Sequence, residues 1–203
     1  MCIINILFAA LLQLCFVSAV FAHRDIILEL KGAAFLSTSS HFRDIYHKAG
    51  GLGEVEVTFR LPCYTHWYGF ASVGYTSENG RSIGFCSPTK VKLVPLAFGL
   101  KYVAPVCWGD VYAGLGFQPV HVRTVNCSPY VAACTSQWGF GGVTKLGTFI
   151  DLPCNFLLDL FFDYSFVKTG CKKIRCKHTT GPVVPLKANA SGAILGIGLG
   201  YRF

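Results

Sequence analysis

The sequence has little charge and, after its first residues, no long apolar run. Of its 203 residues 14% are charged and 52% are hydrophobic, and the mean hydropathy is +0.47. After residue 22 no uninterrupted apolar stretch reaches the roughly 18 residues that a transmembrane helix needs, which excludes a bundle of membrane helices in that region. The apolar residues therefore either fill an unusually large core or face lipid from strands. In lipid, such strands would have to close into a barrel, because their backbone polar groups must pair internally.

Residues that could form a catalytic centre are also few. The chain has scattered histidines at His41, His47, His66, His121 and His178. His41 follows Ser40 directly, but adjacent residues of a strand point to opposite faces. We therefore expect no enzyme and no cofactor. A lipid-modifying enzyme that uses His41 or His121 is the least favoured alternative.

What the sequence does contain is alternation, most clearly in the segment Ala193–Phe203. One set of alternate residues is apolar and ends in Tyr201 and Phe203, and the other is mostly glycine and ends in Arg202. A period of two with contrasting faces predicts a β-strand. Glycine does not solubilise a surface but leaves room in a narrow interior, so the large apolar face is predicted to meet lipid.

Turn signals predict eight such strands. They lie at about residues 25–36, 52–61, 66–76, 91–102, 110–121, 137–150, 155–167 and 191–203. Each is close to the 9–11 residues with which a tilted strand crosses a bilayer. Short connections, each with a proline, at 61–63, 105–107 and 152–154 alternate with long polar ones at 37–51, 77–90, 122–136 and 168–190. The predicted fold is all-β: an up-and-down, eight-stranded antiparallel transmembrane β-barrel with short periplasmic turns and long extracellular loops.

The first 22 residues are predicted to be a signal peptide. The segment is apolar and ends in Val20-Phe21-Ala22, which suits cleavage before His23. It has no Lys or Arg before its apolar stretch, so an uncleaved anchor is the alternative. The chain is accordingly divided into a signal peptide, 1–22, and one barrel domain, 23–203.

Strand parity separates the charged residues into an interior and two ends. The inward set has five acids and five bases: Glu29, Glu54, Glu56, Asp159, Asp163, Lys31, Arg60, Lys101, Lys145 and Arg202. Twelve bases and two acids fall on the long-loop side, a formal charge of +10, and one base and three acids fall on the short-turn side, a formal charge of −2. Buried charges must pair, and an eight-stranded barrel is just wide enough for side chains to fill. The sequence thus predicts a neutral interior charge network.

These features resemble the small eight-stranded outer-membrane β-barrels of Gram-negative-type bacteria, with an OmpA-, OmpX- or OmpW-like architecture. The resemblance rests on the signal peptide, the strands and the terminal Phe203 with Tyr201 and Leu199 at alternate positions. It implies an outer-membrane location and insertion by the barrel-assembly machinery, with Tyr201 and Phe203 as the assembly signal. Aromatic residues near the strand ends predict interfacial girdles: Trp67, Tyr68, Tyr102, Trp108, Tyr112, Trp138, Tyr164 and Tyr201.

Eight cysteines remain after residue 22, and export would place them where disulfides persist. Cys63, Cys107 and Cys154 lie in short turns, whereas Cys86, Cys127, Cys134, Cys171 and Cys176 lie in long loops. A disulfide needs Cα atoms within about 7 Å, but the apolar band is about 25 Å tall. At least one thiol at each end is therefore predicted to be free or bonded to another protein.

Two local disulfides, Cys127–Cys134 and Cys171–Cys176, would each close a small loop. Cys86 would then be the long-loop thiol left to bond another protein. The chain looks like the cysteine-rich envelope proteins of some obligate intracellular bacteria, and this resemblance implies disulfide links to neighbouring envelope proteins. Thiols that stay reduced or buried are the alternative. Metal binding by Cys171 and Cys176 is disfavoured by the flanking bases and an oxidising location.

We expect a structural or surface-interaction role. The alternative is a narrow, porin-like channel or carrier for small hydrophobic solutes, for which the interior glycines would have to leave the lumen open. The basic loop, Lys172, Lys173, Arg175 and Lys177, predicts anionic partners such as lipopolysaccharide phosphates or sulfated host glycans. A merely solvated loop surface is the other reading. Nucleic acid is not expected, because these bases lie in exported loops.

Overall fold

Eight antiparallel strands close into a barrel in the part of the chain that the structure describes. The computed structural model describes residues 26–38, 49–62, 64–81, 88–126, 134–169 and 191–203. The strands are β1 (Ile26–Ser37), β2 (Ala49–Arg60), β3 (Trp67–Arg81), β4 (Pro88–Val106), β5 (Gly109–Asn126), β6 (Cys134–Asp151), β7 (Phe156–Thr169) and β8 (Gly192–Arg202). Each strand pairs with the next, and β8 pairs back to β1. The predicted up-and-down barrel is confirmed.

The seam between the first and last strands is fully paired. Its register runs from Ile27 opposite Arg202 to Ser37 opposite Gly192. Beyond one end the Phe203 amide donates to the Ile26 carbonyl at 2.9 Å, and beyond the other the Thr38 amide donates to the Ser191 carbonyl at 3.1 Å. Among the described residues no helix is long and apolar enough to cross a membrane.

The apolar face of the sheet is on the outside. Large hydrophobic side chains are exposed around the wall, among them Leu30 (67%), Leu115 (69%) and Leu195 (60%). The alternate positions on the same strands, such as Lys31 and Ile194, are buried. A water-soluble domain rarely exposes so much contiguous apolar surface. The alternation predicted from the sequence is therefore present, with its large apolar face turned outward.

Strands β3 to β6 are longer than predicted at the long-loop end. β4 has 19 residues and β5 and β6 have 18 each. β3 pairs with β4 out to Arg81–Pro88, and β5 pairs with β6 out to Val125–Cys134. The predicted bounds of two long loops, 77–90 and 122–136, are thus wrong, because their polar residues continue the ladder above the apolar band. The non-strand parts that remain, 82–87 and 127–133, lie outside the described residues.

The proline of one predicted short connection, 105–107, lies within a strand instead. Pro105 lies within β4, opposite Asp110 on β5, and the turn consists of Cys107 and Trp108. The Val103 amide, two residues earlier and of the same parity, donates to the His66 carbonyl. β3 begins opposite Tyr102. The Pro105 nitrogen therefore points beyond the first residue of β3, where it has no strand partner, and the missing N–H costs no ladder hydrogen bond. The predicted signal peptide, residues 1–22, lies outside the described residues.

Candidate functional site

The barrel interior contains a compact ionic network. Of the ten charges predicted to face inward, eight are buried: Glu29, Lys31, Glu54, Glu56, Lys101, Lys145, Asp159 and Asp163. They come from β1, β2, β4, β6 and β7, so the network ties together strands that are not neighbours around the wall. Each side chain reaches the lumen because strand alternation places it on the inner face.

Three lysines link the carboxylates. Lys31 Nζ lies 2.8 Å from an Asp159 oxygen, 3.0 Å from a Glu56 oxygen and 3.4 Å from a Glu29 oxygen. Lys145 Nζ lies 2.8 Å from oxygens of both Glu54 and Glu56 and 2.9 Å from an Asp163 oxygen. Paired and hydrogen-bonded charges are the form in which ions are tolerated in a low-dielectric interior.

Glu56 is the centre of the network, because it contacts all three lysines. Lys101 donates to Glu56 and lies 3.9 Å from a Glu29 oxygen. The ammonium group of Lys101 also lies 4.3 Å from the Tyr112 ring centroid, a cation–π distance. The Tyr112 hydroxyl in turn donates to Asp159 at 2.9 Å. Aromatic rings thus cover the faces of the lysines that no carboxylate covers.

The buried part of the network has fewer bases than predicted, because the two arginines of the predicted set are not buried. Among the described residues it holds five carboxylates and three lysines, a formal charge of −2. The two predicted interior arginines, Arg60 and Arg202, end β2 and β8 at the short-turn rim. Arg202 lies 2.8 Å from Asp110 and 3.7 Å from Asp151. Parity placed the arginines on the inner face but could not show that their long side chains reach the wetter rim.

Inward glycines make room for these large side chains. A Cβ added at Gly114 would lie 2.9 Å from Lys101 Cγ, and one added at Gly198 would lie 3.0 Å from Lys31 Cγ. A Cβ at Gly200 would lie 2.5 Å from Leu157 Cδ1. The interior glycines therefore do not leave an open lumen as the channel alternative requires, because neighbouring side chains fill the space above them.

Apolar side chains lie on both sides of the ionic network. Toward the short-turn end the network is covered by Ile27, Val103, Phe149 and Leu157. Toward the long-loop end Phe35, Leu52 and Ile194 precede a second cluster: Val91, Leu93, Val120, Val122 and Val167. We call this second cluster the upper plug. Between it and Phe35 a cavity of only about 30 Å³ remains, room for about one or two waters.

Comparison with known proteins agrees with this architecture. No protein-family model matches the chain, and no curated protein matches it in sequence. Among solved structures, Neisserial surface protein A (NspA) superposes with a TM-score of 0.52 at 16% identity, over 88% of this chain and 97% of NspA. Ail, the attachment invasion locus protein of Yersinia pestis, in complex with the heparin analogue sucrose octasulfate, gives 0.52 at 13% identity, over 89% and 97%. The chain has the fold of the small outer-membrane β-barrels.

The outer-membrane barrel fold accounts for the exposed aromatic residues at the strand ends. Trp67, Tyr102, Trp108 and Trp138 are exposed on the outer wall or in turns, as girdle residues are. Tyr112 is an exception to the prediction: it is 4% exposed and binds Asp159 inside the barrel. Tyr68 is also excluded from the girdle, since it packs against the inner cluster. Both residues occupy positions that alternate with outward residues and therefore face inward. Their location near a strand end does not predict this.

The terminal residues lie on the outer surface of the barrel. Phe203 is 60% exposed, and its ring meets that of Tyr201 edge-on at 4.9 Å. Tyr201 also contacts Phe156 of β7. The predicted assembly signal is therefore an aromatic pair beside the closing seam of the outer-membrane barrel, with Phe203 exposed and Tyr201 half-buried.

Two of the predicted disulfide candidates have described side chains. Cys107 and Cys154 are exposed and free, both at the short-turn end. Cys154 is in the left-handed backbone conformation with φ 63°, as is Asn155. Cys134 begins β6, and its side chain lies outside the described residues, as do Cys63, Cys86, Cys127, Cys171 and Cys176. The basic loop Lys172, Lys173, Arg175 and Lys177 also falls outside them.

The described histidines do not converge. His66 donates from Nδ1 to the Val103 carbonyl at 3.2 Å and has a structural contact with Tyr102. His121 Nε2 lies 2.7 Å from Ser136 Oγ on the outer wall, and its ring lies 5.0 Å from Trp138. The sequence does not predict this contact, because Ser136 falls in the predicted loop 122–136. The alternation of the predicted strand 137–150, continued back to residue 136, puts Ser136 on the outer face with Trp138.

Proposed function

We propose that the chain is an integral outer-membrane protein with a structural and surface-interaction role. The observation that carries this proposal is a filled interior inside an apolar wall. Ionic and apolar layers occupy the lumen, so the wall holds the protein in the bilayer while its two ends remain for contacts. This argument also disfavours the channel or carrier reading.

The short-turn end supplies the proposed links to neighbouring envelope proteins. Cys107 and Cys154 present exposed thiols on that side. The odd number of short-turn cysteines, which includes Cys63, leaves at least one thiol there without a partner in the same chain. In an exported compartment two thiols lose two electrons and two protons to the local oxidants and form one disulfide.

Electrophoresis of native envelopes without reductant tests this proposal. We expect high-mass bands that collapse to the monomer when a reductant is added. Replacing all three short-turn cysteines by serine is expected to remove those bands, whereas Cys86→Ser, at the other end of the barrel, should leave any short-turn links intact. A monomer band alone in untreated envelopes would contradict the covalent links.

The long-loop end is proposed to contact anionic partners through the basic loop, Lys172, Lys173, Arg175 and Lys177. Four bases close together attract phosphate or sulfate near a membrane surface, by about 1 kcal/mol each. Lipopolysaccharide phosphates are the first candidate. Ail, a structural neighbour, holds a heparin analogue in its crystal structure, and sulfated glycans are therefore a second candidate. Retention on immobilised heparin at high salt would favour the second.

The aromatic pair Tyr201 and Phe203 is proposed to be the signal read by the barrel-assembly machinery. Deleting Phe203 removes one outward ring and one seam hydrogen bond, so the barrel itself should still refold in detergent. In cells we expect much less protein in the outer membrane. Equal outer-membrane levels with and without Phe203 would show that the signal lies elsewhere.

A further inference from the structure

We propose that the outer face of the extended β3–β6 sheet binds the phosphate of an outer-leaflet lipid. This inference rests on the proposed outer-membrane location, with the long-loop end facing outward. The site is a row of four residues on adjacent strands, Ser77, Lys92, Arg123 and Ser136. We call it the cationic row. It is distinct from the basic loop at 172–177.

The position of the row follows from the order of side chains along the outer wall. On β5 the outward residues from Val111 to Pro119 are apolar, a span of nine residues that matches a bilayer crossing. In this band the Phe117 ring meets Phe98 edge-on at 5.5 Å and stacks on Phe140 at 6.2 Å. The next outward residue, His121, contacts Trp138, a residue type typical of the interface.

Arg123 is the next outward residue beyond His121. One step of two residues along a strand is about 6.4–6.8 Å, so the row lies one step above the interfacial pair. That level is where lipid headgroups begin. Because the row continues the same wall that faces the acyl chains, a ligand there meets lipid on one side and water on the other.

The row also has a charge that the described residues do not balance. Lys92 and Arg123 are direct register partners on β4 and β5, and like charges in that arrangement repel. The ion pairs of the described residues include neither side chain. Glu78, the acid nearest in sequence to the row, points to the opposite face, where its carboxyl lies against Gly50. An external anion would relieve this repulsion.

The donors in the row fit a phosphate. A guanidinium binds phosphate oxygens with two parallel hydrogen bonds, and an ammonium adds a point charge. The Ser77 and Ser136 hydroxyls flank the two cations in register, and Lys90, exposed one step above Lys92, adds a third positive charge. His121 holds Ser136 at 2.7 Å, which fixes one edge of the site.

The test uses Trp138 as a local reporter. The chain has three tryptophans, so Trp67→Phe with Trp108→Phe leaves only Trp138, one step below the row. The full barrel is placed in phosphatidylcholine nanodiscs that contain increasing fractions of bisphosphorylated lipid A. We expect a saturable shift of Trp138 emission that dephosphorylated lipid A does not produce.

Two variants test the residues. Arg123→Gln and Lys92→Gln are each expected to raise the half-saturating lipid A fraction about fivefold, as expected for one charge near a membrane surface. Lys168→Gln is the matched control, since Lys168 is exposed on β7, on the far side of β6 from the row. An equal loss with Lys168→Gln, or no loss with the row variants, would overturn the proposal.

The source of the anion is tested separately. Inorganic phosphate and a heparin oligosaccharide are added from the aqueous side of nanodiscs without lipid A. A Trp138 shift with heparin and none with lipid A would make the row a glycan site and overturn the lipid proposal. If the barrel does not enter nanodiscs, or does not show heat-modifiable migration, the proposed function is contradicted instead. Insertion without a lipid A response contradicts this inference alone.

Discussion

At the scale of single residues, the interior is governed by an excess of carboxylates over lysines. Lys145 has Glu54, Glu56 and Asp163 within 2.9 Å. Removing one lysine leaves five buried carboxylates to two cations, whereas removing one carboxylate brings the two signs closer to balance. The two kinds of substitution are therefore not equivalent in this network, although each breaks an ion pair.

Replacing Lys145 by Met keeps the length of the side chain but removes its charge. We expect the free energy of unfolding to fall by about 3–5 kcal/mol, the usual cost of leaving a buried ion without its partner. Urea unfolding of the refolded barrel in detergent measures this change. Lys168→Met, at an exposed position, is the control and should change stability by less than about 0.5 kcal/mol.

Glu56→Gln should cost less than Lys145→Met, even though Glu56 contacts all three lysines. The lysines keep Glu29, Glu54, Asp159 and Asp163 as partners, and the formal charge of the interior moves from −2 to −1. A larger loss for Glu56→Gln than for Lys145→Met would show that the two arginines at the rim already balance the interior.

Two glycines on opposite faces of the wall give a second residue-scale prediction. An added Cβ at Gly116 would lie 2.7 Å from Phe70 Cζ and 2.8 Å from the Phe98 carbonyl oxygen, whereas at Gly53 it would meet nothing within 4 Å. Gly116→Ala should therefore destabilise the barrel by about 1–3 kcal/mol. Gly53→Ala should be neutral or stabilise it by about 0.5 kcal/mol. Equal effects in the urea unfolding of the two variants would contradict the filled lumen.

Much of this residue-level detail follows from parity alone. Glu54, Glu56 and Lys31 were placed inside because each alternates with apolar neighbours. Parity could not find the role of Tyr112, since an aromatic residue is compatible with either face. It also could not separate Lys101, deep in the lumen, from Arg202, which has the same parity but lies at the rim.

At the scale of elements, the main feature is the sheet that rises above the apolar band. β4 and β5 continue past Pro95 and Pro119 for several residues. On the inner face of this extension Val91, Leu93, Val120 and Val122 form the upper plug with Val167. On its outer face lie Lys92 and Arg123. In the extension the apolar side chains face inward and the charged side chains face outward, the reverse of the wall below it.

Adjacent residues of β5 test this reversed pattern. Val122 is buried in the upper plug, and Arg123 is exposed on the outer face. Val122→Asn should lower the free energy of unfolding by about 1–3 kcal/mol, because it buries an amide without a partner. Arg123→Asn should change it by less than about 0.5 kcal/mol. Urea unfolding of both variants in detergent makes the measurement.

If residues 122–136 formed a loop, as the sequence predicts, neither substitution would change the free energy of unfolding. The extension was missed because its outward residues are polar, and polar residues beside glycine and serine are typical of loops. Above the bilayer the outer face of a strand meets water, so polar residues replace apolar ones at the outward positions. The period of two stays the same. The eight strands themselves were predictable, because the membrane imposes both their length and their apolar face.

At the scale of the whole molecule, the closure of the wall determines how the interior can be filled. The wall closes by pairing β8 with β1 over eleven register positions, which fixes a lumen that side chains can fill. The ionic network then joins strands across the lumen, and apolar layers keep water from both of its ends. In the described part of the chain, ionic and apolar layers occupy the lumen between its two ends.

A barrel with a filled lumen should not conduct ions. Because apolar clusters fill the lumen on both sides of the ionic network in the described barrel, a hydrated ion would have to displace charged side chains that are paired within about 3 Å. We expect no steady conductance steps when the refolded barrel is added to planar bilayers, under conditions in which a wide porin opens channels. Steady steps that grow linearly with voltage would revive the channel reading. Brief openings that Lys145→Met makes more frequent would instead show that the network itself holds the lumen closed.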